Sequence, residues 1–194
     1  MSGKNAMWLT IIAIAAVFGA FIGPRIFEAL GDTVMMIVAP ILLILLIGVC
    51  VWALSSNKRG VKADAATLAD ARAMQPPAGK ARIYICRRGF VAAMQGMDVT
   101  LDGTTQGQIK SGQMLMADVE PGAHHIHVAT AKKSLARPAG FDIDVGAGGV
   151  VVIHAMIEMG ALKGDLKLTR LDARAARENV HATKLILWEA AAAA

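Results

Sequence analysis

Hydrophobic and polar positions fall into three successive regimes along the chain. The first holds two uncharged apolar runs, Met7 to Gly23 (17 residues) and Thr33 to Leu54 (22 residues). A helix crossing a bilayer core needs about 20 apolar residues, with 17 at the short end. The pattern therefore predicts a membrane hairpin over residues 1–57, its spans at about 7–23 and 33–54, joined by the nine-residue connection Pro24–Asp32. A secretory signal is the rival reading of the first run, since Lys4 supplies a positive start, but no clean small-x-small cleavage site follows. Lys4 precedes the first run, and Lys58, Arg59 and Lys62 follow the second. The positive-inside rule then places both termini in the cytoplasm, as a two-pass protein of the cytoplasmic (inner) membrane. Pro40 is expected to kink the second span, with Trp8 and Trp52 at the interfaces.

The second regime, residues 58–79, is alanine-rich and polar, and Pro76-Pro77 ends it. It reads as a short helical stalk over about Val61 to Met74. From Lys80 the period becomes alternating. Arg82–Arg88, Met97–Leu101, Gln113–Val119, Ala123–Thr130, Gly140–Val145 and Gly149–Glu158 read as strands. Asp102-Gly103, Ser111-Gly112, Pro121-Gly122 and Gly146–Gly149 punctuate them, the last as a hairpin turn. Short strands at this spacing, with no helices between them, indicate an antiparallel β-sandwich over residues 80–170. Residues 171–189 read as a C-terminal helix with Asp172 as N-cap, before the alanine tail 190–194.

Composition agrees with this division. Of 194 residues 55% are hydrophobic and 18% charged, with a mean hydropathy of +0.50, too apolar for an ordinary soluble domain. Removing the two runs leaves roughly 150 residues, about one domain. The apolar content excludes disorder, and two cysteines exclude a disulfide scaffold. Cys50, in an apolar run, and Cys86, in a strand, read as free thiols. A net charge of +5 with 5% aromatic residues and no binding motif gives no reason to expect nucleic acid as a partner.

An IYI strand is followed by V-x-L-D-G (Val99–Gly103), Gly107, the Ser111-Gly112 turn and V-x-P-G-x-H (Val119–His124). This order resembles the PEGA-like bacterial domains, in particular an uncharacterised relative ending in a helix that starts Asp-x-x-x-Ala-Arg, as Asp172, Ala176 and Arg177 do here. The resemblance covers about Ala81 to Leu187. It implies a small immunoglobulin-like sandwich, often attached to bacterial envelopes, and no catalytic residues.

Candidate chemistry is sparse. Ala15, Gly19 and Gly23 recur every four residues, which would let another helix approach closely. Arg170, Arg174, Arg177, His181 and Lys184 recur at spacings of 4, 3, 4 and 3, which places them on one helical stripe, suited to lipid headgroups or an acidic partner. His125 and His127 share one strand face and could hold a metal with a third ligand such as His154 or Asp118; solvated or core-edge histidines are the plainer reading. Neither Ser111 nor Ser134 lies in a G-x-S-x-G context, and Cys86 lacks a helix N-terminus to acidify it. The apolar runs carry no ionisable group, which argues against an ion path. The sequence thus points to a non-enzymatic accessory or scaffold subunit without cofactor or resident metal. Its expected partners are membrane lipids and other membrane subunits or further copies of itself. The alternative is a membrane-tethered ligand- or metal-sensing β module built on the histidine-rich strand.

Overall fold

A computed structural model describes residues 23–132, 136–158, 160 and 163–189. The chain divides into two compact units, residues 1–53 and 54–194. The first apolar run, apart from Gly23, lies outside the described residues, as does the alanine tail.

Helix α1 spans Gly23–Leu54, 32 residues. The connection expected at Pro24–Asp32 is helical except for a break at Gly31, where two helical segments meet. Pro24 sits in the first turn, where its missing N–H has no intrahelical partner in any case. The helix breaks at Gly31 (φ 70°, ψ 159°), a conformation open to glycine, while Pro40 lies inside it without non-helical dihedrals. Apolar side chains from Val34 to Trp52 are exposed along α1, Met36 at 80%. Among the described residues no helix is long and apolar enough to cross a membrane.

The second unit is mostly β-sheet. Its strands are β1 (Ala81–Arg87), β2 (Met97–Leu101), β3 (Thr105–Ile109), β4 (Gln113–Val119), β5 (Gly122–Thr130), β6 (Ala136–Arg137), β7 (Ala139–Val145), β8 (Val150–Glu158), β9 (Gly164–Arg170) and β10 (Lys184–Leu185). One sheet has the order β10-β4-β1-β8-β9-β6 and the other β3-β2-β5-β7. The smaller sheet is antiparallel, as expected, but the larger is mixed: β1 pairs in parallel with β8, β10 with β4, and β6 with β9. The cause lies in the turns. Asp102 and Gly103 (φ 52° and 72°) close a tight hairpin between β2 and β3. Gly146–Gly149 instead carries the chain from one sheet to the other, a correction to the hairpin expected there. The Gly149 N–H donates to Gly146 O at 2.9 Å, and a Cβ on Gly149 would lie 2.7 Å from that oxygen.

The main core fills the space between the sheets and includes Ile83, Ile85, Val99, Leu115, Ile126 and Ile153. Strand β1 is buried along its whole length because its other face is covered too. Tyr84 and Cys86 pack there against helices α2 (Ala65–Ala73) and α3 (Ala173–Ala182) through Ala71, Ala176 and Val180. The segment expected as a stalk is thus part of the domain. Asp64 caps α2 by accepting from the Thr67 N–H at 2.7 Å, and Tyr84 Oη donates to Ala71 O at 2.6 Å. Buried Arg82 ties the helix to β4 through Asp70 (2.8 Å) and Asp118 (2.6 Å).

The C-terminal helix is shorter than expected. It starts after Asp172, whose side chain accepts from the Ala175 N–H at 2.8 Å, and stops before Thr183, which is extended. Lys184-Leu185 then joins β4, and Ile186 and Trp188 enter the main core. Burying three large apolar side chains favours the extended path over another helical turn, at roughly 1.5–3 kcal/mol each.

Candidate functional site: a basic cleft on the helical face

A cleft of about 720 Å³ opens where α2, α3 and the start of β8 meet. Val150, Val152 and Ala176 form its apolar floor. Four basic side chains line it: Arg72 from the last turn of α2, Arg170 at the end of β9, and Arg177 and His181 one turn apart on α3. Arg72 Nη2 donates to His181 O at 3.4 Å, a weak link between the helix ends. No carboxylate, hydroxyl or thiol is among the lining residues, and none of these four side chains makes an ion pair among the described residues. Three permanent guanidinium charges around an apolar floor suit a phosphate or carboxylate group, which arginine can grip with two N–H donors.

The expected stripe is therefore only partly assembled. Arg170, Arg177 and His181 meet in the cleft, whereas Arg174 is not in its lining and Lys184 lies on β10. The stripe presumed an unbroken helix, and the chain is helical only over Ala173–Ala182. Arg72 was not foreseen, because a stalk gave no reason to bring it here. Of the small-residue series, Ala15 and Gly19 lie outside the described residues, and Gly23 begins α1.

The histidines are not brought together. His125 and His127 are exposed on β5 of the smaller sheet, while His154 is on β8 of the larger one, on the face that carries Val152 towards the helices. His125 Nδ1 meets Asp142 Oδ1 at 2.5 Å, and His154 Nε2 lies 3.0 Å from Arg88 O. Asp118 is engaged by Arg82 on β4. Among the described residues no group of three His, Cys, Asp or Glu side chains could hold a metal.

His124 is the exception in electrostatic terms. Its Nδ1 faces Asp102 Oδ2 (2.7 Å) and its Nε2 faces Glu120 O (2.8 Å), two acceptors that only the doubly protonated ring satisfies together. Burial pulls its pKa down, but Asp102 and the Glu120 carbonyl outweigh this and hold it above the ordinary value. Asp102 is held low: burial opposes ionisation, and His124 with the His125 N–H overcomes it. A raised histidine pKa stabilises the fold fully below the unfolded value near 6.5, and that contribution is lost as pH rises through the folded value. We expect Asp102→Asn to lower the His124 pKa in an NMR titration; an unchanged value would mean that the carboxylate is not its main partner.

Cys86 is buried, and burial pushes its thiol up to about 12, so it offers no thiolate near neutral pH. Tyr84 is likewise pushed up to about 12 by burial.

Residues 77–165 match a family model described as a protein of unknown function (DUF2846). No curated protein matches the chain. The DUF2846 match runs from just before β1 into the start of β9, so it takes in both sheets of the sandwich. Arg72, Arg170, Arg177 and His181 all fall outside it. The basic side chains of the cleft thus come from segments flanking the matched residues, while Val150 and Val152 of its floor lie within them.

Proposed function

We propose that the protein is a non-enzymatic, membrane-anchored accessory or scaffold subunit of a bacterial cytoplasmic membrane, carrying a PEGA-like, immunoglobulin-like domain on the cytoplasmic side. The observation that carries this reading is α1, whose apolar side chains from Val34 to Trp52 stay exposed on the described surface. Such a surface is unfavourable in water by about 25 cal/mol per Å² and calls for lipid or another helix. The uncharged sequence Thr33–Leu54 is long enough for a span, and Lys58, Arg59 and Lys62 beyond it favour a cytoplasmic domain. The basic cleft supplies recognition of an acidic segment on a larger membrane complex. Its arginines orient a partner by charge and paired donors, and no reaction is required of them.

The test is purification from native membranes in mild detergent, comparing the natural chain with Arg170→Glu/Arg177→Glu. Loss of a stoichiometric companion at an unchanged melting temperature is the expected result. Release of the chain itself from membranes by alkaline carbonate would overturn the anchored reading. A companion retained by the variant would remove the cleft from the mechanism.

A further inference from the structure

Outside α1, the exposed large hydrophobic side chains among the described residues are Val61, Phe90, Val91 and Met94. Three of these four sit in the connection between β1 and β2, and Phe90 is 96% exposed. Most of the carbonyls beneath them are engaged, while the Phe90, Val91 and Ala92 N–H groups have no partner among the described residues. Gly89 O accepts from Ser111 Oγ (2.7 Å), Phe90 O from the Ala93 N–H (3.1 Å), and Ala93 O from the Ser111 N–H (3.2 Å). Met94 O accepts from Asn57 Nδ2 (2.8 Å), and Gly96 O from the Ala131 N–H (2.9 Å).

Arg87 serves two more carbonyls. It is 2% exposed with no carboxylate partner among the described residues, and its guanidinium donates to Ala92 O (2.7 Å) and Gln95 O. Burial pulls its pKa down to about 10, so it stays charged at neutral pH. These anchors hold Phe90, Val91 and Met94 out at the surface, where an apolar medium would cover them.

Position and charge indicate the same medium. Asn57, which grips the loop through Met94 O and the Gly96 N–H (2.6 Å), is three residues past Leu54, the last residue of α1. Lys58 and Arg59 follow it at once, and Lys110 and Lys132 neighbour two of the loop's other anchors, Ser111 and Ala131. Lys58 is paired with Glu189 and Lys132 donates to Ser55, and an apolar tip with Arg59 and Lys110 next in sequence to its anchors matches the chemistry of an anionic lipid interface.

We propose that the loop Arg88–Gly96 is a lipid-inserting element, with Phe90, Val91 and Met94 in the acyl boundary of an anionic membrane leaflet. This rests on the membrane-anchored reading above and adds to it that one end of the β domain is held against the bilayer. The test uses the full chain with Cys50→Ser, leaving Cys86 buried. An environment-sensitive fluorophore is placed at Phe90→Cys or, as control, at Ala123→Cys. Ala123 is exposed at the start of β5, whose far end, Thr130, pairs with Met97 beside the loop. The protein is reconstituted in vesicles of phosphatidylethanolamine and phosphatidylglycerol, with or without a nitroxide high on the acyl chain.

A blue-shifted probe at position 90, quenched severalfold more than the probe at 123, is the expected result. A water-like probe at 90 on chains that still resist carbonate would overturn the loop proposal and leave the anchor standing. A blue-shifted probe that the nitroxide does not quench would mean that protein, not lipid, covers the tip, and would also overturn it. Release of the chain by carbonate would defeat the anchored reading and this inference with it.

Discussion

Trp188→Ala is expected to lower the unfolding free energy of the β domain by about 3–5 kcal/mol, the range for truncating a large core aromatic. Trp188 is 8% exposed and packs in the core between the sheets. A Cβ placed on Gly107 would lie 3.0 Å from its Cε3 and from both δ carbons of Leu115, so the indole packs tightly on β3. Truncation empties that space and strips Met116 O of its Nε1 donor at 2.6 Å. The two losses separate in Trp188→Phe, which keeps most of the ring and forfeits the hydrogen bond, at about 1–3 kcal/mol. Urea unfolding followed by far-UV circular dichroism measures both. Were residues 184–189 the exposed end of a surface helix, as their position in the sequence suggests, either change would stay within about 0.5 kcal/mol. Such a small effect would contradict the core placement.

The same residue shows where sequence reasoning reached and where it stopped. A strand with one buried face announces itself, and Met97–Leu101 falls where alternation puts it. Gln113–Val119 also keeps its expected bounds, although Met114 and Leu115 bury both of its faces. Thr105–Ile109 does not announce itself, because TQGQI is polar up to its one apolar side chain, Ile109. Gln108 is buried there only because its amide donates to Asp98 Oδ1 (2.6 Å) and Ser56 O (3.3 Å) and its Oε1 accepts from the Lys58 N–H (2.6 Å). Two of those partners come from the segment just after α1, about 50 residues away in sequence, and no local pattern encodes them.

Parallel pairing of β1 with β8 was invisible for a related reason. A glycine-rich turn specifies reversal of the chain, not whether the next strand returns to the same sheet. The candidate site was half legible. Arg177 and His181 share a helical face at i, i+4, so their pairing is local. Arg72 reaches them only because α2 packs on β1, a contact made by alanines whose small size left no apolar stripe to read.

That packing can be loosened without touching the cleft. Arg82→Ala is expected to destabilise the domain by about 3 kcal/mol, the low end for breaking a buried ion pair. The side chain of Arg82 is 2% exposed, and its Nε and Nη2 donate to both Asp118 oxygens at 2.6 and 2.9 Å. Nη2 also meets Asp70 Oδ2 at 2.8 Å, and Nη1 reaches Asp70 O at 3.1 Å. The low end applies because the carboxylates are 54% (Asp70) and 31% (Asp118) exposed and regain water once the guanidinium is gone.

Arg82→Met should cost less than Arg82→Ala, since it keeps the volume against Tyr84 while freeing both acids to solvent. Asp118→Asn should cost more than Asp70→Asn, because Asp118 supplies the paired acceptors and the guanidinium stays buried in either variant. A melting series on the four proteins measures this order, and equal losses for the two aspartates would show that Arg82 relies on neither more than the other. Asp70 is in α2, two residues before Arg72, so the pair also sets where that arginine stands over the cleft. If the cleft is the docking site, Arg82→Ala will weaken companion retention at a temperature where the domain is still folded, although no cleft side chain has changed.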